Sequence, residues 1–175
     1  MTNLIQIIFH ALGGQGAKSA AEILAQAAFL EGKEIQAFPE FGPERRGTPI
    51  RAFVRMDGKK ITTHEPITNP DYTVIIEPSL AVKERMAGVC IANSAETADT
   101  IKKRTKYKGE IRILNAAKLG AFANLPMLAA FVKVSKCVKM ETVLKETEKL
   151  FGEKMGKEKL RQATDLMKKA YDSVK

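Results

Sequence analysis

Leu4-Ile5-Gln6-Ile7-Ile8-Phe9, followed shortly by Gly13-Gly14-Gln15-Gly16 and then by Ala17-Lys18-Ser19-Ala20-Ala21-Glu22-Ile23-Leu24, is the stretch that decides the fold. Its opening residues are apolar, rich in β-branched side chains and few, as a strand buried on both faces requires. Past the glycines the period changes. Ala20, Ile23, Leu24 and Ala27 fall on one face of a helix running from Ala17 to Leu30, with Lys18, Glu22 and Gln26 as its polar stripe. Gly32 ends that helix. A strand, a glycine turn and a helix in direct succession open a βαβ unit, which commits the chain to an α/β fold.

Working outward, Ile35 to Phe38 alternates as a second strand. Pro39-Glu40-Phe41-Gly42-Pro43-Glu44-Arg45-Arg46-Gly47-Thr48-Pro49 follows, too rich in Pro and Gly for a regular element. Ile50 to Met56, the Asp57-Gly58 turn and Lys59 to Thr63 read as a β-hairpin, because Asp-Gly suits a tight turn with positive φ. Tyr72 to Ile76, Val89 to Ala92 and Ile111 to Leu114 are further short apolar strands with helical segments between them. Leu125 to Val134, Glu141 to Phe151 and Lys157 to Val174 complete the chain as helices, the last with Leu160, Ala163, Met167, Ala170, Tyr171 and Val174 on one face. The expected architecture is a three-layer, Rossmann-like α/β sandwich: a mainly parallel sheet with an antiparallel hairpin and helices on both faces, in one domain over 1–175.

A chain of 175 residues with 45% hydrophobic content buries a real core. Polar residues interrupt every apolar run before the roughly 20 residues that span a bilayer. Met1 to His10 carries neither a basic leader nor a cleavage site, so the expectation is a cytoplasmic protein that begins near Met1. Cys90 and Cys137 are the only cysteines and form no CxxC pair. A cluster or structural zinc needs about four ligands, so neither is expected on this chain alone. Twenty-nine Lys and Arg against 20 Asp and Glu give a net charge of +9, which favours anionic partners. With 3 Tyr, 8 Phe and no Trp, there is no aromatic and basic pattern for stacking bases, which disfavours nucleic acid.

Between a strand and a helix, glycines let backbone approach a phosphate, and the helix start offers free amides beside a positive dipole end. Gly13, Gly14, Gln15 and Gly16 are therefore candidate ligand contacts; the other reading is tight packing of helix on strand. GxGxxG is incomplete, with Ala11 where its first glycine belongs. In the stiff loop, Glu40, Glu44, Arg45, Arg46 and Gly47 are candidates for substrate or interface contact, since a guanidinium fork suits carboxylate or phosphate. Pairing of Glu44 with an arginine is the plainer alternative. His10, His64 and the run Lys102, Lys103, Arg104, Lys106 and Lys108 read as structural or solvated. Asn124 reads as a helix cap. No Ser/His/Asp or Cys/His set is recognisable, so no residue is assigned to catalysis and none to metal.

Gly13-Gly14-Gln15-Gly16-Ala17-Lys18-Ser19-Ala20, the long run from Gln36 through Pro39-Glu40-Phe41-Gly42-Pro43-Glu44-Arg45-Arg46-Gly47-Thr48-Pro49 to Phe53, Asn69-Pro70-Asp71 and Asn124-Leu125-Pro126-Met127-Leu128 together resemble the gamma subunit of pyruvate and related 2-oxoacid:ferredoxin oxidoreductases. The chain departs from that family at Ala11-Leu12, where an arginine often stands. The resemblance implies a complex that cleaves a 2-oxoacid, pyruvate by preference, on thiamine diphosphate, passes electrons through iron-sulfur clusters to ferredoxin and transfers the acyl group to coenzyme A. Thiamine diphosphate and clusters would sit in alpha, beta and delta-type partner subunits. This chain would bind no cofactor alone, assist assembly and coenzyme A binding, and show no activity alone. A free-standing NAD(P)-dependent oxidoreductase using Gly13, Gly14, Gly16 and Glu40 is the alternative, with a nucleic-acid module resting on charge alone.

Overall fold

The computed structural model describes residues 4–39, 47–81, 86–120 and 123–174. Eight residues, apolar but for Gln6 and His10, make β1 (Ile5–Leu12), and the glycine turn releases the chain into α1 (Ala17–Leu30). Then come β2 (Glu34–Pro39), β3 (Pro49–Asp57), β4 (Tyr72–Ile75), β5 (Val89–Asn93), α2 (Ala98–Thr105), β6 (Ile111–Leu114), α3 (Asn124–Ser135), α4 (Met140–Met155) and α5 (Lys157–Ser173). They form one six-stranded sheet in the order β2-β3-β1-β4-β5-β6. β1, β4, β5 and β6 are parallel, while β3 runs antiparallel to both β1 and β2.

Side-chain alternation divides the sheet's two faces. Ile7, Phe9 and Ala11 of β1 join Ala52, Val54 and Met56 of β3 and Val74 of β4 in the larger core, under α1 and α3. Phe131 of α3 meets Phe9 edge-on at 6.0 Å and Tyr72 at 5.4 Å. Leu125 to Val132 are all buried, so α3 is apolar all round: the sheet lies beneath it, and α5 and α4 cover it from outside. On the opposite face, Ile75, Cys90, Ala92 and Ile111 pack against Ile101 of α2 and Leu80 of a 3-10 turn at Pro78–Ala81. Helices thus cover both faces, as the three-layer reading expects. Under β2, β3 and the start of β1, however, that second layer contains an extended segment, whose Ile67 packs on Ile8 and Phe53.

The expected hairpin across Asp57-Gly58 does not form. β3 ends at Asp57, and Lys59 to Thr63 pair with no strand. Both edges of β3 are already occupied, by β2 on one side and β1 on the other, so no ladder is left for a returning strand. The antiparallel hairpin of this sheet is β2 with β3, joined through the proline-rich loop.

Candidate functional site

The chain leaves β1 through α1 toward β2 on one side of the sheet and leaves β4 toward β5 on the other. Between the carboxyl ends of β1 and β4 the connections diverge, and in open α/β sheets ligands bind in the crevice outside such a point. Gly13 to Gly16 form one wall of it. Gly14 and Gly16 have φ of +92° and +82°, and Gly16 stands at the start of α1 with no side chain to accept from the first-turn amides. That turn contains no acidic residue, while Lys18 is exposed beside it. The arrangement leaves donors and positive charge facing outward, as an anion requires.

Two sequence motifs meet here. The Gly13 amide donates to the Thr48 carbonyl at 2.8 Å, and the Gly47 amide donates to the Gly13 carbonyl at 3.4 Å. The end of the proline-rich loop is therefore fastened to the glycine loop. Glu40, Glu44, Arg45 and Arg46 lie outside the described residues.

Gln15 closes the crevice from within. Its Oε1 accepts from the Leu12 amide at 2.8 Å, and its Nε2 donates to Glu77 Oε2 at 2.5 Å, just past β4. The Ser79 amide donates to the other Glu77 oxygen at 3.2 Å. Burial alone would raise the Glu77 pKa, but the hydrogen bonds from Gln15 and Ser79 outweigh it and hold the carboxyl below its usual value. The crevice thus carries a carboxylate opposite the helix start.

Asn124 corrects its expected role. The helix begins with Asn124 itself, its cap position is Ala123, and its buried amide donates instead to the Gly16 carbonyl at 3.4 Å. A Cβ on Gly16 would come within 2.4 Å of Asn124 Nδ2. Asn93 makes a comparable link: its Nδ2 donates to the Ile76 carbonyl at 2.8 Å and its Oδ1 accepts from the Ala116 amide at 3.0 Å. Glu77, Asn93 and Asn124 take these roles through partners distant in sequence, and local pattern reading missed all three.

The remaining candidates stand elsewhere. His10 is buried in β1 opposite Arg51, and His64 is exposed on the extended segment. Arg104 is paired with Glu96 through both terminal nitrogens, at 2.8 and 2.6 Å. Cys90 and Cys137 are buried free thiols, and burial pushes Cys90 up to about 12. Among the described residues no group of three or more His, Cys, Asp and Glu is placed to hold a metal, and no helix is long and apolar enough to cross a membrane.

Residues 6–173 match the pyruvate ferredoxin/flavodoxin oxidoreductase family. The chain is 35% identical to pyruvate synthase subunit PorC of Thermotoga maritima, over 97% of this chain and 94% of that one. It is 37% identical to the common gamma subunit of the pyruvate/ketoisovalerate oxidoreductases of Thermococcus litoralis, over 95% and 97%. The crystal structure of the Thermotoga subunit superposes with a TM-score of 0.82 at 32% identity, covering 98% of this chain and 97% of that one. The 2-oxoglutarate:ferredoxin oxidoreductase of Magnetococcus marinus shares the fold, with a TM-score of 0.76 at 18% identity; 98% of this chain corresponds to 32% of that longer one.

Proposed function

From the premise that this chain belongs to the pyruvate ferredoxin/flavodoxin oxidoreductase family, we propose that it is the gamma subunit of a cytoplasmic 2-oxoacid:ferredoxin oxidoreductase. It acts as a single domain over 1–175 beside alpha, beta and delta-type partners. The complex decarboxylates a 2-oxoacid, delivers two electrons to ferredoxin and joins the acyl group to the thiol of coenzyme A. Thiamine diphosphate and iron-sulfur clusters belong to the partners. Pyruvate is the favoured substrate, and the Thermotoga relative carries that name. The Thermococcus gamma subunit is common to pyruvate and ketoisovalerate enzymes, so this subunit type does not itself choose the oxoacid. A free-standing nicotinamide enzyme has no support: the family match and these relatives all belong to oxoacid oxidoreductases.

The observation that carries the role within the complex is the fastening of Gly13 to Gly47 and Thr48. It ties the glycine loop to the end of the proline-rich loop, at Gly47 and Thr48, beside the uncapped start of α1, where the phosphates of coenzyme A find amide donors. Among the described residues Gly13, Gly14, Gln15, Gly16 and Gly47 are the proposed contacts; Glu40, Glu44, Arg45 and Arg46, outside them, are proposed contacts because carboxylate- and phosphate-binding side chains cluster in that loop of the sequence. The test is Arg45→Ala with Arg46→Ala in the reconstituted complex. The expected outcome is a KM for coenzyme A raised roughly a hundredfold or more with kcat little changed, or loss of assembly, since removal of charge-assisted contacts of this kind costs about 1.5–3 kcal/mol each and two are removed. Unchanged KM in an intact complex would remove the loop from coenzyme A binding.

A further inference from the structure

The solvent-facing stripe of α1 carries Lys18, Glu22 and Gln26 and then turns apolar. Phe29 is 62% exposed and Leu30 58%, and they are the large hydrophobic side chains left exposed among the described residues. Helix fraying does not account for them. The Gly32 amide donates to the Phe29 carbonyl at 2.9 Å and the Lys33 amide to the Ala28 carbonyl at 3.0 Å, with Gly32 at φ +79°. That pair of bonds is a Schellman end, which fixes the last turn of the helix. The two side chains are held ready on a rigid support, as anchor residues of an interface are.

The surface extends beyond them. One and two turns back along the helix from Phe29, Ala25 and Ala21 line a groove of about 400 Å³ whose other wall is Ile35 and Ala37 of β2. β2 is the edge strand, so its outer backbone groups have no strand partner among the described residues. The apolar anchor thus lies one helical turn beyond a groove floored by alanines and open along a strand edge, a groove that reaches Lys18 at the start of α1. Open edges of this kind accept a strand or loop from another chain.

We propose that this α1–β2 edge is the face on which a catalytic partner subunit of the oxidoreductase docks, offering apolar side chains to Phe29 and Leu30. The inference rests on the subunit reading above. A second copy of this chain is the less suitable occupant, because it would bring two surfaces of net charge +9 together. A nucleic acid has no use for exposed phenylalanine and leucine beside a groove rimmed by Glu22. The occurrence of this fold as about a third of the longer Magnetococcus chain fits an edge built to be covered by the rest of an oxidoreductase.

The test is co-expression of the tagged chain with its partner subunits, followed by anaerobic pull-down of the wild type and of Phe29→Gln with Leu30→Lys. Glutamine and lysine keep helix propensity, and lysine suits the helix's carboxyl end. The variant should melt within roughly 3 °C of wild type, as exposed substitutions do, while recovery of partners falls roughly tenfold or more. Should it melt early, Ala37→Arg in the wall of the same groove carries the same expectation. Wild-type recovery of partners by a folded variant overturns the docking face. So does a variant that abolishes self-association of the isolated chain while leaving partner recovery untouched. If the wild-type chain itself recovers no cysteine-rich, thiamine-binding partner, the subunit reading fails and the docking face falls with it.

Discussion

Gly16 and Gly14 have similar backbone angles and different reasons to be glycine. A side chain at Gly16 meets strain from φ +82° and the amide of Asn124 at 2.4 Å, whereas one at Gly14 meets strain alone, with nothing within 4 Å. Gly16→Ala should therefore lower stability by about 2–3 kcal/mol and Gly14→Ala by about 1 kcal/mol, read from urea unfolding. Combining Gly16→Ala with Asn124→Ala should recover about 1 kcal/mol relative to the sum of the single changes. Equal costs at both glycines would mean that the Asn124 contact does not fix Gly16. The distinction separates two causes: Gly16 is accounted for by helix packing as well as by its backbone angle, and Gly14 by its backbone angle alone. Cys90 gives a second residue-scale expectation. Burial raises its folded pKa from 9.0 to about 12, so the neutral thiol's contribution is fully present below pH 9 and is lost as pH rises toward 12. Alkaline unfolding should set in at higher pH for Cys90→Ala than for the wild type, once each is referred to its own stability at pH 8; coincident profiles would assign the alkaline loss to other groups.

Among the elements, the extended segment from 59 to 71 has the least regular support and the most specific anchor. Arg55 of β3 is only 2% exposed, donates to Gln6 and Gln36 at 3.2 Å each, bonds the Glu65 carbonyl and lies over the Phe38 ring at 5.7 Å. Its guanidinium stitches β1, β2 and the segment together on the part of the second face that the extended segment, rather than a helix, covers. Arg55→Ala removes the buried guanidinium and leaves the acceptors on half-buried Gln6 and Gln36 and exposed Glu65 without their donor, and should cost about 2–4 kcal/mol, with Arg55→Lys nearly as costly because an ammonium cannot serve partners in fork geometry. Limited proteolysis should then cleave between 59 and 66 sooner than in wild type; an unchanged pattern would show the segment held by Ile67 alone. The same region marks what was legible in the sequence. Periodicity gave β1, α1 and the closing helices because their signal is local to each element. It misread 59–63 as a strand because β propensity says nothing about whether a neighbour's edge is free. The glycine loop was readable for the same local reason, while the Gln15–Glu77 and Asn124–Gly16 bonds span 62 and 108 residues and leave no local trace.

For the whole molecule, the excess of positive charge is the property that the fold does not neutralise. Arg104 and Arg112 are paired with Glu96 and Glu110, yet Lys102, Lys103, Lys106 and Lys108 on the same side have no ion pair among the described residues. Charges of one sign distributed over a small surface repel one another, and salt screens that repulsion over a Debye length of about 10 Å at 0.1 M. Raising salt from about 0.05 to 0.5 M should therefore raise the melting temperature of the isolated chain. In the proposed complex the sign should reverse if the positive charge meets acidic partner surfaces, because screening then weakens attraction instead of repulsion. Dissociation of this chain from the complex, followed by size-exclusion chromatography across the same salt range, should increase while the free chain grows more stable. A complex indifferent to salt would mean that apolar contact alone holds the subunit, and the positive charge would then have to be explained by a small anionic ligand rather than by a neighbouring protein.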